Sequence, residues 1–177
     1  VELSKKAFKI ALIVATIVSL GQLVAGHASA DGVAENQPAK LAALEGHFEA
    51  DAPADMYLMG WVDKESQQVT GIPIPGGLSF LLHFDFNEPV TGLNAFPIED
   101  QPPALNAIFQ FYHFMVAFGM IMIALTLYAS FQWWRGKLFE QRWLLWVFVF
   151  AVLLPNLANQ FGWFAAEMGR QPWVVYG

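Results

Sequence analysis

The sequence predicts an all-α integral membrane chain: three transmembrane helices, with a long ordered extracytoplasmic loop between the first and the second. Three observations carry this. Apolar residues make up 56% of the 177 and charged residues only 14%, against roughly 45–50% and about 25% in soluble domains. Three apolar segments, 7–26, 107–131 and 143–166, each supply the about 20 residues that a bilayer crossing needs. The charges are also segregated. Between Asp31 and Asp100 twelve acids stand against Lys40 and Lys64 alone, which makes that stretch −10 and leaves the rest of the chain +4.

The first element, 1–26, is a span that opens on Lys5, Lys6 and Lys9. Lys5-Lys6, the apolar run and His27-Ala28-Ser29-Ala30 also have the shape of a secretory signal with an A-x-A-like cleavage site. Two later spans keep the membrane assignment either way. The chain begins with Val rather than Met, which reads as processing or as a piece of something longer. The second element, 27–105, has no strong period and is punctuated by Gly and Pro from Gly71 to Pro103. Apolar patches such as 56–61 and 78–82 need covering, so it is read as an ordered loop. Its best helix is 38–50, with Pro38 suited to the first turn.

The third element, 106–134, is the second span. The fourth, 135–142, is a short connection holding Arg135, Lys137 and Arg142. The fifth, 143–177, is the third span and its tail. Lys and Arg excess marks the cytoplasmic side, so both basic ends lie inside and the acidic loop outside. Trp133, Trp134 and Trp143 suit an inner aromatic belt; Trp163, Trp173 and Tyr176 suit an outer one. The absence of cysteine excludes disulfide scaffolds, zinc–thiolate and Fe–S sites and thiol catalysis. A net charge of −6 excludes a nucleic-acid footprint.

Within the third span, Asn156, Asn159, Gln160, Trp163, Glu167 and Arg170 fall at offsets 3, 4, 7, 11 and 14, one helical face. Lipid cannot satisfy such groups, so the face turns toward a bundle interior or a cavity. Interhelical hydrogen bonding is the other use of Asn and Gln. Pro155 opens the stripe and is expected to kink the helix. In the second span His113 and Met115 are both haem-iron ligand types. Two residues apart, they point about 200° apart and cannot address one iron from one face. By spacing alone Met115 reads as core filler. Lys40 and Glu45, about 140° apart on their helix, read as scattered charges on a solvated face. His27, His47 and His83 show no metal-ligand spacing.

Two runs then carry a family resemblance. Gly162-Trp163-Phe164-Ala165-Ala166-Glu167-Met168-Gly169-Arg170-Gln171-Pro172-Trp173 resembles the GW…E…GRQPW signature of subunit I of cytochrome bd quinol oxidases. Gln37-Pro38-Ala39-Lys40-Leu41-Ala42-Ala43-Leu44-Glu45 resembles the motif that opens that family's quinol-binding loop. Thr91-Gly92-Leu93, Pro102-Pro103, Phe114-Met115-Val116 and Gly119 match the loop's close and the next span. The resemblance covers essentially the whole chain, in order.

It implies a membrane enzyme that oxidises quinol at the outer side and reduces O2 to water at haem, with this chain one piece of a larger helical bundle. It implies that Lys40 and Glu45 act in quinol oxidation, with Trp163 and Arg170 also catalytic. Met115 becomes an axial ligand of the low-spin haem b iron, and Glu167 the carboxylate at the high-spin haem b iron. Trp163 sits between cofactors, and Arg170, Gln171 and Trp173 bind near quinol and haem. The implied third cofactor is haem d or a third haem b. The implied partners are an N-terminal half of subunit I carrying the haem-ligating His residues, subunit II, quinol, O2 and membrane lipid, in a bacterial or archaeal cytoplasmic membrane. Gln160 stands where many relatives have a Glu and cannot ionise; His113 stands where they have Arg or another residue. The loop lacks the long insertion of some members. A degenerate quinol- or haem-binding subunit that relays electrons to a partner is the alternative.

Overall fold

The computed structural model describes residues 1–173; Tyr176 of the expected outer belt lies outside them. The helices are α1 (Glu2–Asn36), α2 (Pro38–Glu45), α3 (Gly77–His83), α4 (Leu105–Trp134), α5 (Arg142–Ala151) and α6 (Leu153–Gly169). Strands β1 (Met56–Asp63) and β2 (Gln68–Ile74) form an antiparallel hairpin between α2 and α3. Among the described residues, three helical stretches are long and apolar enough to cross a membrane: α1, the stretch ending in α4, and α5 with α6. Most of their apolar side chains are exposed, as on helices that meet lipid or neighbouring helices.

The third span breaks at Val152, between α5 and α6. The cause is Pro155: it has no N–H, so the carbonyl of Ala151, four residues back, has no helical partner. Asn156 Nδ2 donates to the Val152 carbonyl at 3.3 Å beside the break. The helix is thus interrupted three residues upstream of the proline, while Val152 keeps right-handed helical dihedrals.

The chain divides into two compact units, 1–27 with 115–159 and 28–114 with 160–177. In the first, Leu12, Ala129, Leu138 and Leu144 are buried, with Phe8, Trp133 and Phe148 against them. Two hydroxyl pairs tie α1 to α4: Thr16 with Ser130 and Ser19 with Thr126, each at 3.1 Å. Small polar residues let membrane helices approach and hydrogen-bond. Lys5 and Lys9 lie over the Phe139 ring, at 5.7 and 5.8 Å, and Lys9 also lies over Trp133 at 5.6 Å. Both basic segments thus meet at one end of this unit, as the charge bias requires.

The second unit holds the loop. Its core gathers Ala43, Phe48, Val62, Leu93, Phe109 and Ala165 from six segments. The hairpin, absent from the sequence expectation, is sewn to α4 by side chains. Asn106 Oδ1 accepts from Val62 N–H at 3.0 Å, Gln110 Nε2 donates to the Gly60 carbonyl at 2.6 Å, and His113 Nε2 lies 2.7 Å from the Tyr57 carbonyl. These residues are spaced i, i+4 and i+7, a polar face at the start of an apolar span. That period is the signal that could have announced a docked strand.

Helix α2 stops at Glu45, short of the expected 38–50, because Gly46 adopts φ +68°. A Cβ there would come within 2.9 Å of both Val62 and Val69, so this turn needs glycine twice over. Gly92 of Thr91-Gly92-Leu93 has a different constraint. Its Cα side rests on the Phe48 carbonyl, where a Cβ would sit at 2.3 Å. Leu93 and Asn94 donate to the His47 and Phe48 carbonyls at 3.0 and 2.9 Å, closing the loop onto the end of α2.

Candidate functional site

The loop unit brings two sequence motifs together. Lys40, on α2, lays its aliphatic stem along Gly169 at the end of α6; a Cβ on Gly169 would lie 3.2 Å from Lys40 Cγ. Glycine therefore permits the contact between the α2 motif and the GRQPW run. Around the Lys40 head a small recess is lined by Gln37, Asp100, Pro102, Arg170, Gln171 and Trp173. Burial pushes the Lys40 amine below its usual range, and the Arg170 charge pushes it the same way; Glu167 partly offsets both. Gln37 Oε1 is buried without a hydrogen-bond partner. The recess therefore combines an ammonium and a guanidinium, groups suited to a ligand bearing hydroxyl or carbonyl oxygen. Its volume is about 10 Å³, room for one water.

Glu45 lies elsewhere. It is 2% exposed, at the last turn of α2, and does not line the recess. This corrects the solvated-face reading from spacing: Ala39, Leu41, Ala42, Ala43 and Leu44 are all buried too, so α2 is enclosed nearly all round. Tyr112 packs against the same cluster, and Glu45 Oε2 has no hydrogen-bond partner. Burial pushes the carboxyl up to about 7, with the Tyr112 hydroxyl pulling the other way. Sequence reasoning did not single out Tyr112; a tyrosine at the mouth of an apolar span was the available cue.

The polar stripe of α6 is largely uncovered by this chain. Asn156, Asn159, Gln160 and Trp163 are exposed, Trp163 at 57%. A polar face of a membrane helix needs cover that lipid cannot give, so it calls for protein or cofactor beyond this chain. Glu167 is 39% exposed and accepts from Arg170: Nε at 3.1 Å and Nη2, both on Oε2. Met115, on α4, is half-buried between exposed Phe114 and Val116. His113 has Nδ1 2.8 Å from the Phe109 carbonyl of its own helix and Nε2 2.7 Å from the Tyr57 carbonyl of the hairpin, so both ring nitrogens are occupied. Among the described residues no cluster of three or more His, Cys, Asp or Glu side chains could hold a metal ion. Met115 and Glu167 each have the chemistry of a single iron donor, a thioether and a carboxylate.

A membrane-spanning helical subunit with an ordered loop folded over the ends of two spans is the class that this architecture defines. The chain belongs to the cytochrome bd terminal oxidase subunit I family, whose model matches residues 1–177. It is 39% identical over 176 residues to a Bacillus subtilis (strain 168) protein bearing the name of a cytochrome bd menaquinol oxidase subunit I. That alignment covers 97% of this chain and 39% of the relative. It is 33% identical over 183 residues to the cytochrome bd ubiquinol oxidase subunit 1 of the same organism, covering 98% and 39%. Among solved structures, the bd oxidase of Geobacillus thermodenitrificans matches with a TM-score of 0.83 at 34% identity, over 98% of this chain and 40% of that one. The chain thus spans about two fifths of the length of the relatives it matches.

Proposed function

We propose that this chain is part of a haem-containing membrane quinol oxidase, which oxidises quinol at the outer-side loop and passes electrons through haems to reduce O2 to water. The observation that carries the reading is the contact of Lys40 with Gly169, which sets the two family motifs around one recess with Arg170, Gln171 and Trp173. Quinol oxygen hydrogen-bonds Lys40 there, and Gln37 Oε1 accepts from a quinol hydroxyl. A volume of about 10 Å³ is far below a quinol ring, so seating it opens the recess. Glu45 takes a proton.

Met115 would hold the iron of a low-spin haem b and Glu167 would supply the carboxylate at a high-spin haem b, with Trp163 between cofactors. Haem supplies one-electron transfer and O2 reduction. The third cofactor is haem d or a third haem b. An N-terminal half of subunit I with the remaining ligands, and subunit II, complete the complex. The loop unit faces outside in a bacterial or archaeal cytoplasmic membrane, because the basic ends at Lys5, Lys9 and the 135–142 connection face inside.

The test is turnover of the whole complex with two donors. Lys40→Met and Glu45→Gln are expected to cut quinol-driven O2 uptake at least about ten-fold, the loss of one positioned acid–base group. Haem content and O2 uptake from an artificial donor stay near wild type. Equal loss with both donors would refute a quinol role for these side chains.

A further inference from the structure

Within the first compact unit, the start of α1, the end of α4 and the start of α5 carry Lys5, Lys6, Lys9, Arg135, Lys137 and Arg142 against only Glu2 and Glu140. Two of these cations are held in place. Lys5 and Lys9, one turn apart on α1, both lie over the Phe139 ring, with Nζ 5.7 and 5.8 Å from its centroid, and Lys9 also lies 5.6 Å from that of Trp133. Phe139 is fixed in turn: it stands edge-on to Phe8 at 6.0 Å and packs on the buried cluster of Leu12, Leu138 and Leu144. Like charges four residues apart on a helix repel, and a ring face attracts an ammonium without cancelling its charge. Lys5 has Glu2 at 3.4 Å, an exposed pair that offsets little. Among the described residues no carboxylate pairs with Lys9. The fold therefore sets two ammonium groups side by side and leaves most of their charge uncompensated. The same face of α1 continues as Ile13 and Ile17, four and eight residues beyond Lys9, and these are 45% and 66% exposed.

We propose that Lys5 and Lys9 form a headgroup site for an anionic phospholipid, whose phosphate is shared by the two ammonium groups beside Phe139 and whose acyl chains run along α1 over Ile13 and Ile17. Three features select a lipid among anions. The cations stand at the ends of membrane-spanning stretches, the depth at which headgroups lie. The charged face passes directly into an exposed apolar one on the same helix, which suits a molecule charged at one end and apolar at the other. Trp134 and Trp143, either side of the connecting turn, are exposed, and indole rings favour that same interfacial layer. The two free phosphate oxygens can accept from both lysines. Holding the ammonium groups over rings before the lipid arrives lowers the entropy lost on binding. A zwitterionic lipid carries the same phosphate with a cation attached, which these lysines repel.

The test uses the whole complex, delipidated in detergent and titrated with phosphatidylglycerol or phosphatidylcholine, each carrying the same photoreactive group high in one acyl chain. Labelling of residues 10–20 of α1 is read by peptide mass spectrometry, which reports this site alone. Phosphatidylglycerol should half-saturate that labelling at a concentration about twenty-fold lower than phosphatidylcholine, from two lysines at about five-fold each. Lys9→Gln should raise the phosphatidylglycerol value about five-fold. Lys5→Arg with Lys9→Arg should keep it near wild type, and unchanged haem content shows that each variant is assembled. Lys6→Gln removes the same charge from a neighbouring exposed position and should shift it less than about two-fold. An equal shift in Lys6→Gln and Lys9→Gln would mean general surface charge and overturn the site, as would equal labelling by the two lipids. Labelling abolished by excess inorganic phosphate would assign the lysines to a free anion instead. No labelling of this segment by either lipid would mean that a neighbouring protein segment covers it, and would overturn the proposal as well.

Discussion

Glu45→Gln should make the loop's local stability independent of pH, and the size of the effect follows from burial. The Glu45 carboxyl goes from an ordinary 4.5 to about 7 on folding, because 2% exposure leaves its charged form without water. Its folded-state value is raised, so the folded state binds the proton more tightly than the unfolded one. The contribution is fully present below pH 4.5 and is lost as pH rises through 7. A difference of that size corresponds to about 3 kcal/mol between pH 4 and pH 8. Glutamine has the same shape and carries no titrating proton, so it removes the slope.

Backbone hydrogen exchange reads this locally, since amides of α2 exchange when that segment opens. In the wild-type complex, protection of residues 41–46, corrected for the intrinsic pH dependence of exchange, should fall roughly a hundred-fold from pH 5 to pH 8. In Glu45→Gln it should change by less than about three-fold. Residues 125–130 in α4 serve as an internal reference. Equal protection at both pH values in the wild type would refute the burial argument. So would an equal fall in both proteins.

Met115→Leu should abolish the low-spin haem b signature in reduced-minus-oxidised spectra while leaving the complex assembled, because leucine has no donor atom; an unchanged spectrum returns Met115 to packing. Glu167→Gln should disturb the high-spin haem b and lower O2 reduction with the low-spin haem still reducible by quinol. Arg170→Gln, which breaks the same ion pair but not the ligand, should leave the high-spin spectrum largely intact; matching spectra from the two variants would assign Glu167 to ion pairing alone. Single cysteines at Asp63 and Gly136 should react with an impermeant thiol reagent from opposite sides of the membrane, and same-side labelling would end the assigned topology.

The three spans and the positions of the motifs were legible in the sequence because hydropathy and helical period are local properties of the chain. Long apolar runs leave the backbone little choice in lipid, where hydrogen bonds must close within the helix. Pro155 likewise announced a break before any tertiary contact was known. The hairpin was not legible. Its two central glycines face each other, Gly60 opposite Gly71, and weaken the strand pattern, while much of its order comes from Asn106, Gln110 and His113 on a helix 44 to 56 residues away in sequence. The burial of Glu45 was hidden for the same reason. Helical spacing set Lys40 and Glu45 on different faces, but only the packing of β1, β2, α4 and α6 around α2 decided which face met solvent. So the sequence by itself determined which segments cross the membrane and which residues could do chemistry. Tertiary structure decided that Lys40 would meet Arg170 across Gly169, and that Glu45 would be sealed in with Tyr112, because burial and partnership depend on what other segments bring to the same place.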